Sequence, residues 1–189
     1  MQWTKADDEY LRELRKEIDH DDIRIKELIK NKLVNNKYII KLLDNTELEN
    51  AQAEPDEYFG VSILPYFLIK PTITSTQNFI CIETDYSKLM THDPTKKYQQ
   101  IIFHILCAIE NVIVPQTGLA RHDMIAALIL REFDHTNIFG AKIHCVSDKS
   151  SAIENLFCAR TLVFEQITDN NLVKTSNGIP RLANKDVVI

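Results

Sequence analysis

The chain has 189 residues, 44% hydrophobic and 26% charged, with a formal net charge of −5 and a pI near 5.7. That length allows one well-buried core rather than two full-sized domains, and the composition is that of an ordinary globular protein rather than a disordered or fibrous one. The acidic balance excludes a surface built wholly to neutralise nucleic-acid phosphates, and there is neither an apolar run of the roughly 18 residues that cross a bilayer nor a signal-peptide core in Met1 to Glu9, so a cytosolic protein is expected.

Thr4 to Asp19 reads as a charged amphipathic helix, with Leu11, Leu14 and Ile18 at spacings of three and four and Asp7 or Asp8 as its cap. Its apolar stripe is narrow, so it packs at an edge, either on its own domain or on a neighbouring subunit. His20 to Asp22 breaks the pattern. A second helix follows, capped by Asp21 or Asp22, with Ile25, Leu28, Ile29 and Leu33 on one face. After Asn35 and Asn36, the apolar piece Tyr38 to Leu43 fits a further two helical turns or a strand, and helix is the favoured reading. Asp44 to Glu57 then holds six acids (Asp44, Glu47, Glu49, Glu54, Asp56 and Glu57), no Lys or Arg, and Pro55. This predicts an acidic surface loop.

Tyr58 to Ile69 is rich in aromatic and β-branched residues, and Phe59, Val61 and Ile63 alternate with Gly60 and Ser62, as in a strand broken at Pro65. Thr72 to Gln77 is a polar turn. A second strand has Phe79, Cys81 and Glu83 on one face and Ile80 and Ile82 on the other. The third, Tyr98 to Cys107, is the clearest: Ile101, Phe103, Ile105 and Cys107 oppose Ile102, His104 and Leu106, which predicts cover on both faces. Pro115 to Gly118 is a turn. The main core helix, Ala120 to Phe133, carries a stripe of Met124, Ile125, Leu128, Ile129 and Phe133, with Ala126 and Ala127 permitting close approach to a sheet. Two strands complete the pattern, Ala141 to Val146 and a long run from Leu156 to Glu165, joined by a polar bend from Ser147 to Asn155.

Beyond Asp169 the period is lost. Three bases (Lys174, Arg181, Lys185) accompany one acid (Asp186), and the chain closes on Val187, Val188 and Ile189, as expected of an extended arm that adds a strand to another surface. The predicted organisation is a helical extension over 1–20, an α+β domain over 21–169 with a mostly antiparallel sheet packed against two core helices, and an arm over 170–189.

The search for chemistry finds little. There is no phosphate loop, dinucleotide fingerprint or nucleophile elbow, and only four glycines to build one from. The cysteines Cys81, Cys107, Cys145 and Cys158 lie in apolar runs without a Cys-x-x-Cys pair and read as small buried hydrophobes. His122 and Asp123 form a His-Asp doublet of the kind that supplies two metal ligands, but the surrounding pattern is largely β. His104, Cys107, His144 and Cys145 include zinc-type donors, yet strand alternation turns His104 from Cys107 and His144 from Cys145. Glu83, Asp85 and Lys88 come nearest to a Mg²⁺-dependent nuclease motif and have the wrong spacing. No catalytic, cofactor or metal residue is therefore expected. Arg160, a charge inside an apolar strand, pairs with a carboxylate such as Glu83, or its strand face lies at a subunit interface or a polar lumen.

The order helix, three strands, helix, two strands resembles the tail terminator (tail completion) proteins of tailed bacteriophages. The resemblance is carried by Ile25 to Leu33, Phe59 to Leu64, Asn78 to Glu83, Tyr98 to Cys107, Ala120 to Phe133 and Gly140 to Ile167. It implies a non-enzymatic virion protein of the neck, assembled in the host cytoplasm. It also implies a homo-oligomeric ring, usually six-fold, between the tail tube protein and the head-closure or connector proteins, with DNA passing through its lumen unbound. The family shares fold and element order rather than a signature, so no residue role is carried over. Leu11, Leu14, Arg160, Arg181, Lys185, Val187 and Ile189 are the expected interface residues, and the six acids of Asp44 to Glu57 the expected lumen lining. Another neck or tail protein, or a nuclease-like enzyme, is the alternative.

Overall fold

The clearest alternating run of the sequence becomes the spine of the molecule. In the structure, a computed structural model, residues 4–7, 9–11, 21–67, 77–90, 93–153, 156–169, 172–174 and 180–182 are described. Strand β3 (Asp93–Ala108) lies at the centre of a five-stranded sheet with β1 (Ile63–Leu64), β2 (Phe79–Met90), β4 (His144–Ile153) and β5 (Phe157–Asp169), in the order β1-β2-β3-β5-β4. Every pairing is antiparallel except that of β1 with β2. The fold is α+β, as the segment order predicts.

Alternation along β3 decides which face the helices cover. Ile101, Phe103, Ile105 and Cys107 are fully buried and share a face with Ile80 and Ile82 of β2 and with Leu162 and Phe164 of β5. Helices α1 (Asp21–Val34), α2 (Lys37–Leu43) and α4 (Arg121–Phe133) close this face through Ile25, Ile29, Leu33, Ile39, Leu43, Ile125, Ile129 and Phe133, giving one contiguous core. Phe133 links helix to sheet, 5.3 Å from the Phe103 ring and stacked on Phe139 at 5.8 Å. Ala126 is buried in this contact, whereas Ala127 is exposed.

The opposite face is covered less than its sequence predicts. Leu64, Phe79, Cys81, Leu106, Ala108, Phe157 and Ala159 form a smaller buried cluster at one end. Ile102 and His104 are only half-buried.

Local polar chemistry sets the boundaries. Thr4 and Asp7 form a reciprocal capping box, Thr4 N–H donating to Asp7 Oδ2 at 2.8 Å and Asp7 N–H to Thr4 Oγ1 at 3.3 Å. Asp7 is thus the partner of the cap rather than the cap expected. Residues 5–7 and 9–11 are helical, while Leu14 and Ile18 lie outside the described residues. Asn36 Oδ1 accepts the N–H groups of Tyr38 and Ile39, which starts α2 as a separate short helix.

Three expectations are corrected. The acidic segment after Asp44 is not a loop but α3 (Thr46–Asn50), capped by Asn45, followed by the 3₁₀ turn Pro55–Tyr58. Its acids obscured the helix-starting chemistry of Asn45, of the Glu54–Glu57 capping box, and of a proline at a position where its missing N–H costs nothing. Tyr58 to Phe67, the described part of the stretch expected to reach Ile69, is not one strand: Gly60, at φ +88°, turns the chain so that among these residues only Ile63–Leu64 forms a strand of the sheet, ending before Pro65 as expected. The polar stretch after Ser147 is not a bend, because β4 starts later than expected and runs through it to Ile153. An edge strand needs only its backbone ladder to β5, so serines and charges exposed to solvent serve there as well as apolar residues.

In the C-terminal segment, β6 (Leu172–Lys174) and β7 (Pro180–Leu182) pair antiparallel as a separate two-stranded sheet. Lys185, Val187 and Ile189 lie outside the described residues.

Candidate interaction surfaces

The most heavily bonded side chain described is Arg121, the first residue of α4, which is 4% exposed. Its Nη1 donates to Leu42 O at 2.8 Å, its Nε to Asn111 O at 2.9 Å, and its Nη2 to Asn111 Oδ1 at 2.9 Å and Asp44 Oδ2 at 3.0 Å. One guanidinium thereby ties the end of α2, the turn around Asn111 and the start of α4. Beside it runs a groove of about 820 Å³ between α2 and α4, lined by Tyr38, Leu42, Val114, Met124 and Leu128 among others. Arg121 stands in no motif and on no apolar stripe of the sequence. The signal available was a cation at a helix N-terminus, the end whose dipole opposes it.

Asp44, one of the six acids of that segment, is bonded to Arg121, with its side chain 36% exposed. Glu47, Glu49, Glu54, Asp56 and Glu57 are exposed and share one short stretch of surface. Within it Glu57 accepts the Glu54 N–H at 2.8 Å, and Asp56 lies 3.4 Å from Lys30 Nζ.

Arg160 pairs within the chain, but not with Glu83. It sits on the helix-covered face at the β4 side of the sheet, where its Nε and Nη2 donate to the two oxygens of Asp148, each at 2.7 Å, and its Nη1 contacts Asp123 in the first turn of α4. The Asp148 hydrogen bonds, reinforced by Asp123, push its pKa up against a smaller desolvation effect. Glu83 belongs to the other face, where its Oε2 lies 2.9 Å from His104 Nε2. His104 Nδ1 is 3.2 Å from Thr161 Oγ1, and the Phe67 ring lies over the imidazole at 4.4 Å. His104 is thus held by neighbours on the face opposite Cys107.

Of the other predicted interface residues, Leu11 is exposed and Arg181 belongs to β7, opposite Val173. Leu14, Lys185, Val187 and Ile189 lie outside the described residues.

The loop after α4 makes a contact that sequence alternation could not anticipate. His135 follows the helix at φ 59°, and its ring lies edge-on to that of His144 at the start of β4, Nδ1 to Nδ1 at 3.0 Å. The chain returns on itself here: His135 N–H donates to Ile143 O at 2.9 Å, and Ile143 N–H to Thr136 O at 3.0 Å. The spatial partner of His144 is thus His135 rather than its sequence neighbour Cys145.

A protein-family model described as YomW matches residues 36–181, a span that contains every strand of the sheet and α4. No curated protein matches the chain.

Proposed function

The chain belongs to the YomW family, which is phage-encoded, and from that premise we propose that it is a structural virion protein whose ring closes the tail tube and joins it to the head-neck connector. The observation that carries this reading is the segment order, helix, strands, helix, strands, laid out as a sheet covered by helices on one face, within a phage family.

A ring is built from heterologous contacts, each subunit offering one surface to a different surface of the next. Strand β4 is suited to one such surface. Among the described residues it pairs only with β5, which leaves a ten-residue strand with an open backbone edge. Exposed Leu11 in the first helix supplies an apolar group for reaching a neighbour, as does the arm beyond Asp169. The exposed acids from Glu47 to Glu57 suit a wall past which DNA slides without adhering, since like charges repel at short range.

Labelling the protein in intact particles tests the position. A tail terminator gives a single focus of label per particle, at the junction of head and tail. Label along the tail length marks a tube protein, label confined to tail-free heads marks a head-closure protein, and absence from particles removes the virion reading altogether.

A further inference from the structure

We propose that Asp134, His135 and His144 form a binding site for a divalent transition metal of the zinc class. One ligand atom from each residue lies within 4.8 Å of the other two. Two imidazole nitrogens 3.0 Å apart, His135 Nδ1 and His144 Nδ1, share the space of a single proton. A tetrahedral metal with bonds of 2.0–2.1 Å holds two such nitrogens roughly 3.3 Å apart, so exchanging that proton for a metal needs the nitrogens to separate by about a few tenths of an ångström and the rings to tilt until both lone pairs meet at the ion. The movement is available because the His135 side chain is 68% exposed.

The surroundings orient the donors. Asp134 Oδ1 accepts the N–H groups of His135 at 3.0 Å and Cys145 at 2.9 Å, which fixes the carboxylate beside the two rings; its Oδ2 lies 3.6 Å from His135 Nε2, the ring nitrogen that does not face His144. The backbone bonds between Ile143 and residues 135 and 136 close the loop, and Phe139, packed on Phe133, anchors it to the core. These contacts bring the end of α4 and the first residue of β4 together before any ion arrives.

Two imidazoles and one carboxylate suit zinc and its transition-metal neighbours and disfavour Mg²⁺ and Ca²⁺, which require oxygen ligands. Three protein donors leave a position for water or for a group from another molecule. The bound ion would clamp α4 to the edge strand.

The test is equilibrium dialysis of the full-length, tag-free protein against Zn²⁺, with Co²⁺ binding followed by visible absorption. The expected result is one ion per chain, no retention of Mg²⁺, a melting temperature raised by about 5 °C or more at a hundredfold excess over Kd, and affinity lowered at least about tenfold by His135→Ala and by His144→Ala. Retention no greater than in the double variant, or full affinity in either single variant, overturns the proposal and leaves a proton-sharing histidine pair. Should His144→Ala fail to fold, His135→Ala decides alone, because His135 lies outside the core. Metal retention is read per chain, so the result stands apart from the question of a ring.

Discussion

Arg121 Nη2 lies 3.0 Å from Asp44 Oδ2, joining the first residue of α4 to the left-handed residue that ends α2, 77 positions earlier. The same guanidinium satisfies the carbonyls of Leu42 and Asn111. A buried cation at a helix N-terminus survives only because its acceptors surround it.

Replacing Arg121 with Met should therefore lower stability by about 3–5 kcal/mol, since it takes the donor from the carbonyls of Leu42 and Asn111 and from Asn111 Oδ1 and leaves Asp44 held only by Asn111 Nδ2. Lys should recover less than half of that, because an ammonium cannot match the fork. Asp44→Asn, at a half-exposed site, should cost about 1 kcal/mol. Urea unfolding of the variants measures all three, and equal midpoints for Arg121→Met and wild type would remove Arg121 from its central role.

Burial pushes the Cys107 thiol from its ordinary value of 9.0 up to about 12, with Arg121 opposing the shift. A thiol that resists ionisation in the folded state contributes stability that is present in full below about pH 9 and is lost as pH rises toward 12, where the unfolded thiol ionises first. Native protein at pH 8 should leave Cys81 and Cys107 unlabelled by a thiol reagent while Cys145 and Cys158, which are partly exposed, react first. Rapid labelling of Cys107 without unfolding would contradict this burial.

The sheet was legible in the sequence where side chains alternate over a buried face. β3 showed its register through Ile101, Phe103, Ile105 and Cys107, and α4 its stripe through Ile125, Ile129 and Phe133. Legibility failed where backbone bonds or caps decide. β4 continues through Ser147 to Ile153 because β5 pairs with it, and no property of those serines announces a strand. The segment from Asp44 to Tyr58 is shaped by Asn45 and Glu54, single side chains whose bonds outweigh the charge pattern around them. The Arg121, Arg160 and His135 contacts each join elements far apart in sequence or returned by a loop, and periodicity within one segment carries no information about them.

Exchanging Glu47, Glu49, Glu54, Asp56 and Glu57 for Ser should leave assembly intact and slow DNA ejection, if this surface lines the passage. Glu54 and Glu57 also cap the 3₁₀ turn, so a melting curve must accompany the assay. Unchanged DNA retention and ejection in a folded variant would place the acids elsewhere.

Deleting residues 1–20 or 170–189 should preserve the fold, whose buried residues among those described lie between Ile25 and Gln166, and abolish association between subunits. Circular dichroism and sedimentation velocity report the two effects separately. Full association after both deletions would show that neither extension grips a neighbour.

The most direct measurement is the mass of the intact protein by size-exclusion chromatography with light scattering, alone and with tail tubes. The ring account predicts a stable hexamer, or a monomer that closes into rings only on tail tubes. A compact dimer, unchanged by tail tubes, would contradict it.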